Sequence, residues 1–299
     1  MTALYEDSVV SRVLTPQHAA VTLYCGGYIM GFFAEIDEAA RRNKSLLCVG
    51  LDPDPGLLPT GISKLDFNKA IIDATASLVC AYKPNLAFYE AGGMRGWEVL
   101  EQTLDYIPKG IPVIADAKRG DIGNTAKAYA SAIFTALGAG AVTVNPYMGF
   151  DSIEPFLNYK DKGVFILCRT SNAGAADFQN LMLAAGGREQ ALYQVVAQQS
   201  SEWNKYGNIG LVVGATYPEE LKSLRQAYPE MPFLIPGVGT QGGDLKKAVS
   251  DGINTRGGGI IINSSRQILY ASRGRDFASA AASAALKLKE EINLFRSTI

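Results

Sequence analysis

Histidine is almost missing from this 299-residue chain, which contains only His18. A histidine-based catalytic triad or a histidine-ligated metal centre is therefore not expected, because both need imidazole nitrogens held at fixed geometry. Cysteine is scarce as well. Three of the four cysteines, Cys48, Cys80 and Cys168, fall in apolar strand-like runs, where a thiol behaves as a small core hydrophobe, and their spacing is not that of a zinc site. Nothing calls for a disulfide framework, so a reducing cytoplasm is the expected compartment. Charge excess is lacking too. Twenty-eight basic residues against 29 acidic ones leave a net charge of −1, which gives no bulk attraction to nucleic acid or to an anionic membrane. An anionic ligand would have to be held locally. The apolar patch from Ala19 to Phe33 is broken by Gly26, Gly27 and Gly31 and is too short to span a bilayer.

What remains is core-forming material. With 47% hydrophobic residues, the chain can bury the core of two small domains or of one large α/β barrel. Apolar strand-like runs alternate with longer amphipathic stretches, the pattern of repeated β/α units around a parallel sheet. The candidate strands are Leu46–Leu51, Val79–Leu86, Ile111–Ala115, Ala141–Asn145, Val164–Cys168, Ile209–Val213, Phe233–Ile235 and Gly259–Asn263. The candidate helices are Phe67–Ser77, Trp97–Tyr106, Ala126–Leu137, Arg188–Tyr206, Pro218–Tyr228, Asp244–Asp251 and Phe277–Phe295. Eight such units fit a single (β/α)₈ TIM barrel better than an open doubly wound sheet. The regular pattern starts only at Phe32. Residues 1–29 are therefore expected to be an N-terminal extension outside the catalytic fold, an added or misassigned leader with Met30 as the functional start, and residues 30–299 the barrel.

In a TIM barrel, reactive groups lie just beyond the C-terminal ends of the strands. Asp52 follows the first strand, Lys83 lies in the second, Asp116 and Lys118 end the third, Asn145 ends the fourth and Thr170-Ser171-Asn172 follow the fifth. The third is the most informative. Asp116-Ala117-Lys118-Arg119-Gly120-Asp121-Ile122-Gly123-Asn124-Thr125 is a strand end, a charged turn and a helix start. Alternation along a strand sends Asp116 and Lys118 to one face, with Asp121 in the turn just beyond. Two carboxylates beside one lysine favour its ammonium form. Such a lysine is a proton donor. A Schiff-base lysine needs an apolar pocket or a neighbouring cation instead. An ordinary salt bridge at a strand end is the structural alternative.

The seventh and eighth strands run into Pro236-Gly237-Val238-Gly239-Thr240-Gln241-Gly242-Gly243-Asp244 and Asn263-Ser264-Ser265-Arg266. Phosphate sites recur in the corresponding loops of this architecture. Glycines let backbone N–H groups approach phosphate oxygens, and Gln241 and Arg266 are the side-chain candidates. Gly237-x-Gly239-x-x-Gly242 also matches the dinucleotide fingerprint, but it comes after six strands, and no full mononucleotide unit follows it. The glycine- and alanine-rich stretch from Asn172 to Gly187 reads as a lid or as a surface excursion.

These motifs resemble orotidine 5′-phosphate decarboxylase from about Phe32 to the C-terminus. Asp116-x-Lys118-x-x-Asp121-Ile122 resembles the D-x-K-x-x-D-I signature in the form of the longer bacterial subgroup. Val49-Gly50-Leu51-Asp52-Pro53-Asp54, Lys83-Pro84-Asn85 and Pro236-Gly237-Val238-Gly239 with Gln241-Gly242-Gly243 agree with it. The resemblance implies decarboxylation of orotidine 5′-monophosphate to UMP with no metal or organic cofactor. It implies that Lys118 protonates C6, that Asp116 sits near the departing carboxylate, and that Asp121 crosses a homodimer interface with Ile122 and Thr125 touching the ribose. Lys83 and Asp52 are then expected on ribose hydroxyls, Ser171 on the pyrimidine, and Gln241 and Arg266 on the phosphate. Neither nucleic acid nor membrane is an expected partner. The alternatives are a sugar-phosphate barrel with the same D-x-K-x-x-D core, such as a keto-gulonate phosphate decarboxylase or hexulose phosphate synthase needing Mg²⁺, a binding-only barrel, and a Schiff-base aldolase.

Overall fold

Parallel strands covered on both faces are apolar throughout rather than alternating, and the runs read as strands have this character. The computed structural model describes residues 24–25, 28–29, 31–185, 188–238 and 243–297. Eight strands form its main sheet: β1 (Leu47–Gly50), β2 (Ala81–Lys83), β3 (Ile114–Arg119), β4 (Ala141–Val144), β5 (Gly163–Arg169), β6 (Ile209–Val213), β7 (Phe233–Ile235) and β8 (Ile260–Ser264). The order β2-β1-β8-β7-β6-β5-β4-β3 is parallel at every pairing. Isolated parallel bridges Tyr82↔Val113 and Asn85↔Asp116 join the two end strands. The sheet thus closes into the expected barrel, and β1, β4, β6, β7 and β8 are buried along their whole length.

Helices separate the strands on the outside. They are α1 (Phe32–Asn43), α2 (Lys64–Thr75), α3 (Gly93–Tyr106), α4 (Gly123–Ser131), α5 (Phe150–Leu157), α6 (Leu192–Trp203), α7 (Pro218–Ala227), α8 (Leu245–Gly252) and α9 (Phe277–Arg296). Their starts follow local chemistry. Ser63 and Asp244 accept hydrogen bonds from the Asp66 and Lys247 amides as N-caps, and Pro218 occupies the first turn of α7, where its missing N–H leaves no helical bond unmade.

Three differences from the sequence reading have physical causes. The helical stretch expected from Arg188 begins only at Leu192, because Arg188–Ala191 pairs antiparallel with Met182–Ala185. The good helix formers Arg188, Glu189 and Gln190 are overridden by a partner strand lying just across Gly186-Gly187. The run expected as one helix to Leu137 widens into a π-turn at Ala132–Ala136. The sequence reading does not include helices α1 and α5: α1 begins at Phe32, directly after the stretch read as an extension, and α5 has Pro155 inside it, which reads as a breaker. The extension assigned to residues 1–29 lies mostly outside the described residues, as does His18. Tyr24–Cys25 and Tyr28–Ile29 form a short antiparallel pair.

The N-terminal end of the barrel is built for stability. Phe32, only 2% exposed, stands edge-on to Phe165 at a centroid distance of 6.1 Å. It fills space that two glycines leave open: a Cβ at Gly140 or Gly163 would come within 2.9 or 2.4 Å of its ring. Nearby, Arg225 donates to the carbonyls of Gly252, Tyr228, Pro229, Met231 and Gly259 and lies 3.9 Å over the Phe233 ring. Burial lowers its pKa to about 10, which still leaves it charged at neutral pH. Among the described residues, no helix is long and apolar enough to cross a membrane.

Phe32→Ala is expected to destabilise the fold by about 3–5 kcal/mol, the range for emptying a buried aromatic site. Chemical denaturation at neutral pH reads this out. A loss below about 1 kcal/mol would show that the barrel floor collapses to fill the gap.

Candidate active site

Strand β3 does not end as a regular strand. Its pairing with β4 runs Ile114↔Ala141 and Ala115↔Val142, then resumes at Arg119↔Val144. Residues 116–118 therefore bulge out opposite Thr143 alone. Lys118 takes a left-handed backbone with φ of 47°, a conformation that side chains with a Cβ adopt rarely and that costs on the order of 1–3 kcal/mol. Thr143 supports it. The Lys118 amide donates to the Thr143 hydroxyl at 3.0 Å, and that hydroxyl donates to Asp116 Oδ1 at 3.0 Å. Simple alternation would have set Asp116 and Lys118 side by side. They do meet, but through a bulge rather than through the pleat.

Asp116 is the centre of the charged array. Its Oδ2 accepts from Lys83 Nζ at 2.7 Å, and its Oδ1 accepts from Lys118 Nζ. Its backbone is fixed to β2, with the amide donating to the Pro84 carbonyl at 2.9 Å and the carbonyl accepting from Leu86 at 3.3 Å. Asp116 and Lys83 are both buried, while the Lys118 side chain is 48% exposed. Burial alone would raise the Asp116 pKa, but the ammonium groups of Lys83 and then Lys118 outweigh it and hold the carboxyl well below the usual range. Burial would likewise discharge Lys83. The carboxylates of Asp116 and Asp52 more than offset that, and its pKa is raised. The Asp52 carboxylate is itself positioned, since Oδ1 accepts from the Asn85 amide at 3.1 Å and Oδ2 from the Ser265 hydroxyl at 2.7 Å. The Tyr270 hydroxyl ties this turn down by donating to the Asp52 carbonyl and accepting from the Asp54 amide.

These groups face a cavity of about 620 Å³ at the C-terminal ends of the strands. Asp52, Lys83, Asp116, Lys118, Ser171 and Arg266 all line it. Arg266 begins the one-turn helix Arg266–Leu269 directly after β8. Gln241 lies outside the described residues. Gly237, with φ of 92°, starts the turn after β7 and also lines the cavity. Asp121, Ile122 and Thr125 are not among its lining residues. They sit at the start of α4, where Ile122 is 49% exposed.

Sequence reasoning missed Thr143 as a site residue, because Ala-Val-Thr-Val reads as an ordinary strand and a threonine there as a β-branched strand former. Gln179 falls within the stretch from Asn172 to Gly187, which the sequence marks only as a loop. Gln179 lines the cavity and folds back on Thr170, accepting from its amide at 2.8 Å and donating to its hydroxyl at 2.8 Å. The adjacent Arg169 is fully buried, stacks 3.5 Å over Tyr217 and donates to Gln179 at 3.3 Å. Together they anchor the segment that carries Ser171. A larger hollow of about 890 Å³ opens at the opposite end of the strands. Its Arg256–Glu230 pair is 72% and 60% exposed, so charge there is screened by solvent and the chemistry belongs to the smaller cavity.

The Lys83–Asp116 pair ties stability to pH. With its pKa depressed on folding, Asp116 contributes stability above its unfolded value of about 3.9 that disappears as pH falls through the folded value. Lys83, with its pKa raised, contributes below about 10.4 and stops contributing as pH rises through its folded value. At pH 7 both contributions are present. Asp116→Leu leaves Lys83 buried without its partner and is expected to lose about 3–5 kcal/mol in urea denaturation at pH 7. Lys83→Met/Asp116→Leu is expected to recover most of that loss. A double variant as unstable as the single one would mean that shape rather than charge is at stake.

Residues 45–281 match the model of the orotidine 5′-phosphate decarboxylase / HUMPS family. The orotidine 5′-phosphate decarboxylase of Dehalococcoides mccartyi (strain CBDB1) is 58% identical over 267 residues, which is 89% of this chain and 99% of the relative. That of Ralstonia pickettii (strain 12J) is 52% identical over 277 residues, or 90% and 100% of the two chains. Among solved structures, the Leishmania donovani OMP decarboxylase superposes with a TM-score of 0.80 at 43% identity, covering 90% of this chain and 100% of that one. Fold, cavity and relatives agree, and the chain belongs to the orotidine 5′-phosphate decarboxylase family.

Proposed function

We propose that residues 30–299 form the catalytic unit, with residues 1–29 as an extension, and that this unit decarboxylates orotidine 5′-monophosphate to UMP in the cytoplasm without metal or organic cofactor. The observation that carries the reading is the Lys83–Asp116–Lys118 chain at the mouth of the barrel. Breaking the C6–carboxylate bond releases carbon dioxide and leaves an electron pair on C6. The Lys118 ammonium stabilises that pair and gives it a proton, which the lysine regains from solvent. A fixed charge aimed at developing charge needs little reorganisation. Two lysines against Asp116 and Asp52 keep the array close to neutral before the substrate adds its own anionic groups.

The other roles are those the family resemblance implies. Lys83 and Asp52 take ribose hydroxyls, Ser171 takes the pyrimidine, and Arg266 with Gln241 takes the phosphate. Phosphate contacts far from C6 supply binding energy that closure can apply to the chemical step. Asp121, Ile122 and Thr125 serve the site of a second copy in a homodimer. Their place at the start of α4, outside the chain's own cavity lining, supports this. The sugar-phosphate alternative shares the D-x-K-x-x-D core and falls within the breadth of the family's name, but the relatives at 52–58% identity are named as orotidine 5′-phosphate decarboxylases.

Ultraviolet absorbance of orotidine 5′-monophosphate tests the reading. The parent is expected to consume it in excess EDTA, and Lys118→Ala to lose at least about 10³-fold, combining proton transfer with electrostatic stabilisation. Inactivity of a folded parent, with turnover of a sugar phosphate restored by Mg²⁺, would overturn it. Arg266→Ala with Gln241→Ala is expected to lower kcat/KM by at least about 100-fold, the equivalent of two charge-assisted contacts. Mixing the inactive Lys118→Ala and Asp121→Ala proteins is expected to restore activity, because in the mixed dimer one of the two sites keeps both residues. No recovery despite subunit exchange would place Asp121 in its own chain's site.

A further inference from the structure

We propose that Thr143 is a positioning residue for the proton donor: its hydroxyl holds the Lys118 backbone and the Asp116 carboxylate in one fixed relation. The proposal rests on the decarboxylase reading for its consequence, though its geometric half stands without it.

The pairing of β3 with β4 sets three residues, 116–118, against Thr143 alone. Regular ladder bonding resumes only with the Asn145 amide donating to the Arg119 carbonyl at 2.8 Å. In the gap, the Lys118 amide donates to a side chain, the Thr143 hydroxyl, at 3.0 Å. That bond supports the left-handed turn at Lys118, whose φ is 47°. A left-handed lysine persists only where its surroundings over-determine it.

The same hydroxyl has a single proton, and it goes to Asp116 Oδ1 at 3.0 Å. Lys118 Nζ reaches that same oxygen, while Lys83 takes Oδ2 at 2.7 Å. Thr143 is 2% exposed, so water is a poor substitute for it. A β-branched side chain in a strand is also stiff at χ1. The hydroxyl therefore has one orientation, accepting from the backbone of the residue that moves the proton and donating to the carboxylate that holds that residue's tip. Main chain and ammonium of Lys118 are both referred to one oxygen atom on β4.

A residue of this kind should act on the chemical step and leave substrate binding alone. Thr143→Val keeps the shape and removes the hydroxyl. Its kcat is expected to fall roughly 10- to 100-fold, the rate equivalent of losing one or two positioning hydrogen bonds, with KM and UMP affinity within about twofold of the parent. Thr143→Ser keeps the hydroxyl and is expected to return most of kcat. Hydrogen exchange gives a readout independent of activity: the Lys118 amide should lose protection in Thr143→Val while those of Val142 and Val144 keep theirs.

Parent-like kcat in Thr143→Val, unchanged protection at Lys118, or a Ser variant as impaired as the Val variant would each overturn the proposal. If Thr143→Val does not accumulate as folded protein, Ser against Cys decides it. A thiol is the weaker donor and acceptor, so kcat should rank Ser above Cys, and equality would overturn the assignment. A folded parent inactive on orotidine 5′-monophosphate, with protection still lost at Lys118 in Thr143→Val, would instead reject the decarboxylase reading and leave the geometry standing.

Discussion

A buried carboxylate cannot remain charged unless fixed positive charge and hydrogen-bond donors surround it, and Asp116 sets this condition for the whole mouth of the barrel. Its two oxygens are taken up by Lys83, Lys118 and Thr143. Because these partners come from β2, β3 and β4, the carboxylate also records how three strands are set against one another. The closure of the sheet between β2 and β3 passes through it, since Asn85↔Asp116 is one of the two bridges joining those strands. The electrostatics of the site and the closure of the fold thus share one residue. This explains why a group so costly to bury sits at a structural seam.

The two ends of the barrel solve the problem of buried charge differently. At the N-terminal end, Arg225 is surrounded by five carbonyl oxygens and the face of Phe233. Dipoles satisfy its donors, the Glu230 carboxylate acts on it only at a distance, and the arrangement suits packing. At the C-terminal end, full charges oppose one another within one array, and Lys118 stays half exposed to the cavity. Fixed opposing charges of this kind can answer a charge that appears during a reaction. The register shift of β3 against β4 and the left-handed Lys118 within it lie at the end where chemistry is expected, whereas the other left-handed side chain among the described residues, Lys44, closes helix α1; a bulge that re-aims a side chain beside a site has a use there.

The segment after β5 repeats the theme with weaker interactions. Arg169, stacked on Tyr217, and Gln179, folded back on Thr170, fix the start of a connection that then forms a short hairpin. Ser171 is carried on that anchored start. A loop tied at its base and extended beyond it can move at its tip without disturbing its base.

Much of this was legible in the chain itself. Apolar runs such as Leu46–Leu51 and Ile209–Val213 announced buried parallel strands, because a strand covered on both faces has no polar side to alternate with. The positions of Asp52, Lys83, Asp116, Lys118 and Arg266 after or within those runs put them at one end of a barrel, since side chains at strand ends need no tertiary knowledge to be ordered along the chain. Tertiary structure alone decided what these residues do to one another. Thr143 gained its role from the register of β3 against β4, the strand Arg188–Ala191 from its partner across the hairpin, and Gln179 from a turn back onto Thr170. Each depends on a contact between residues brought together by pairing or folding rather than by local preference, and local preference is what a sequence displays directly.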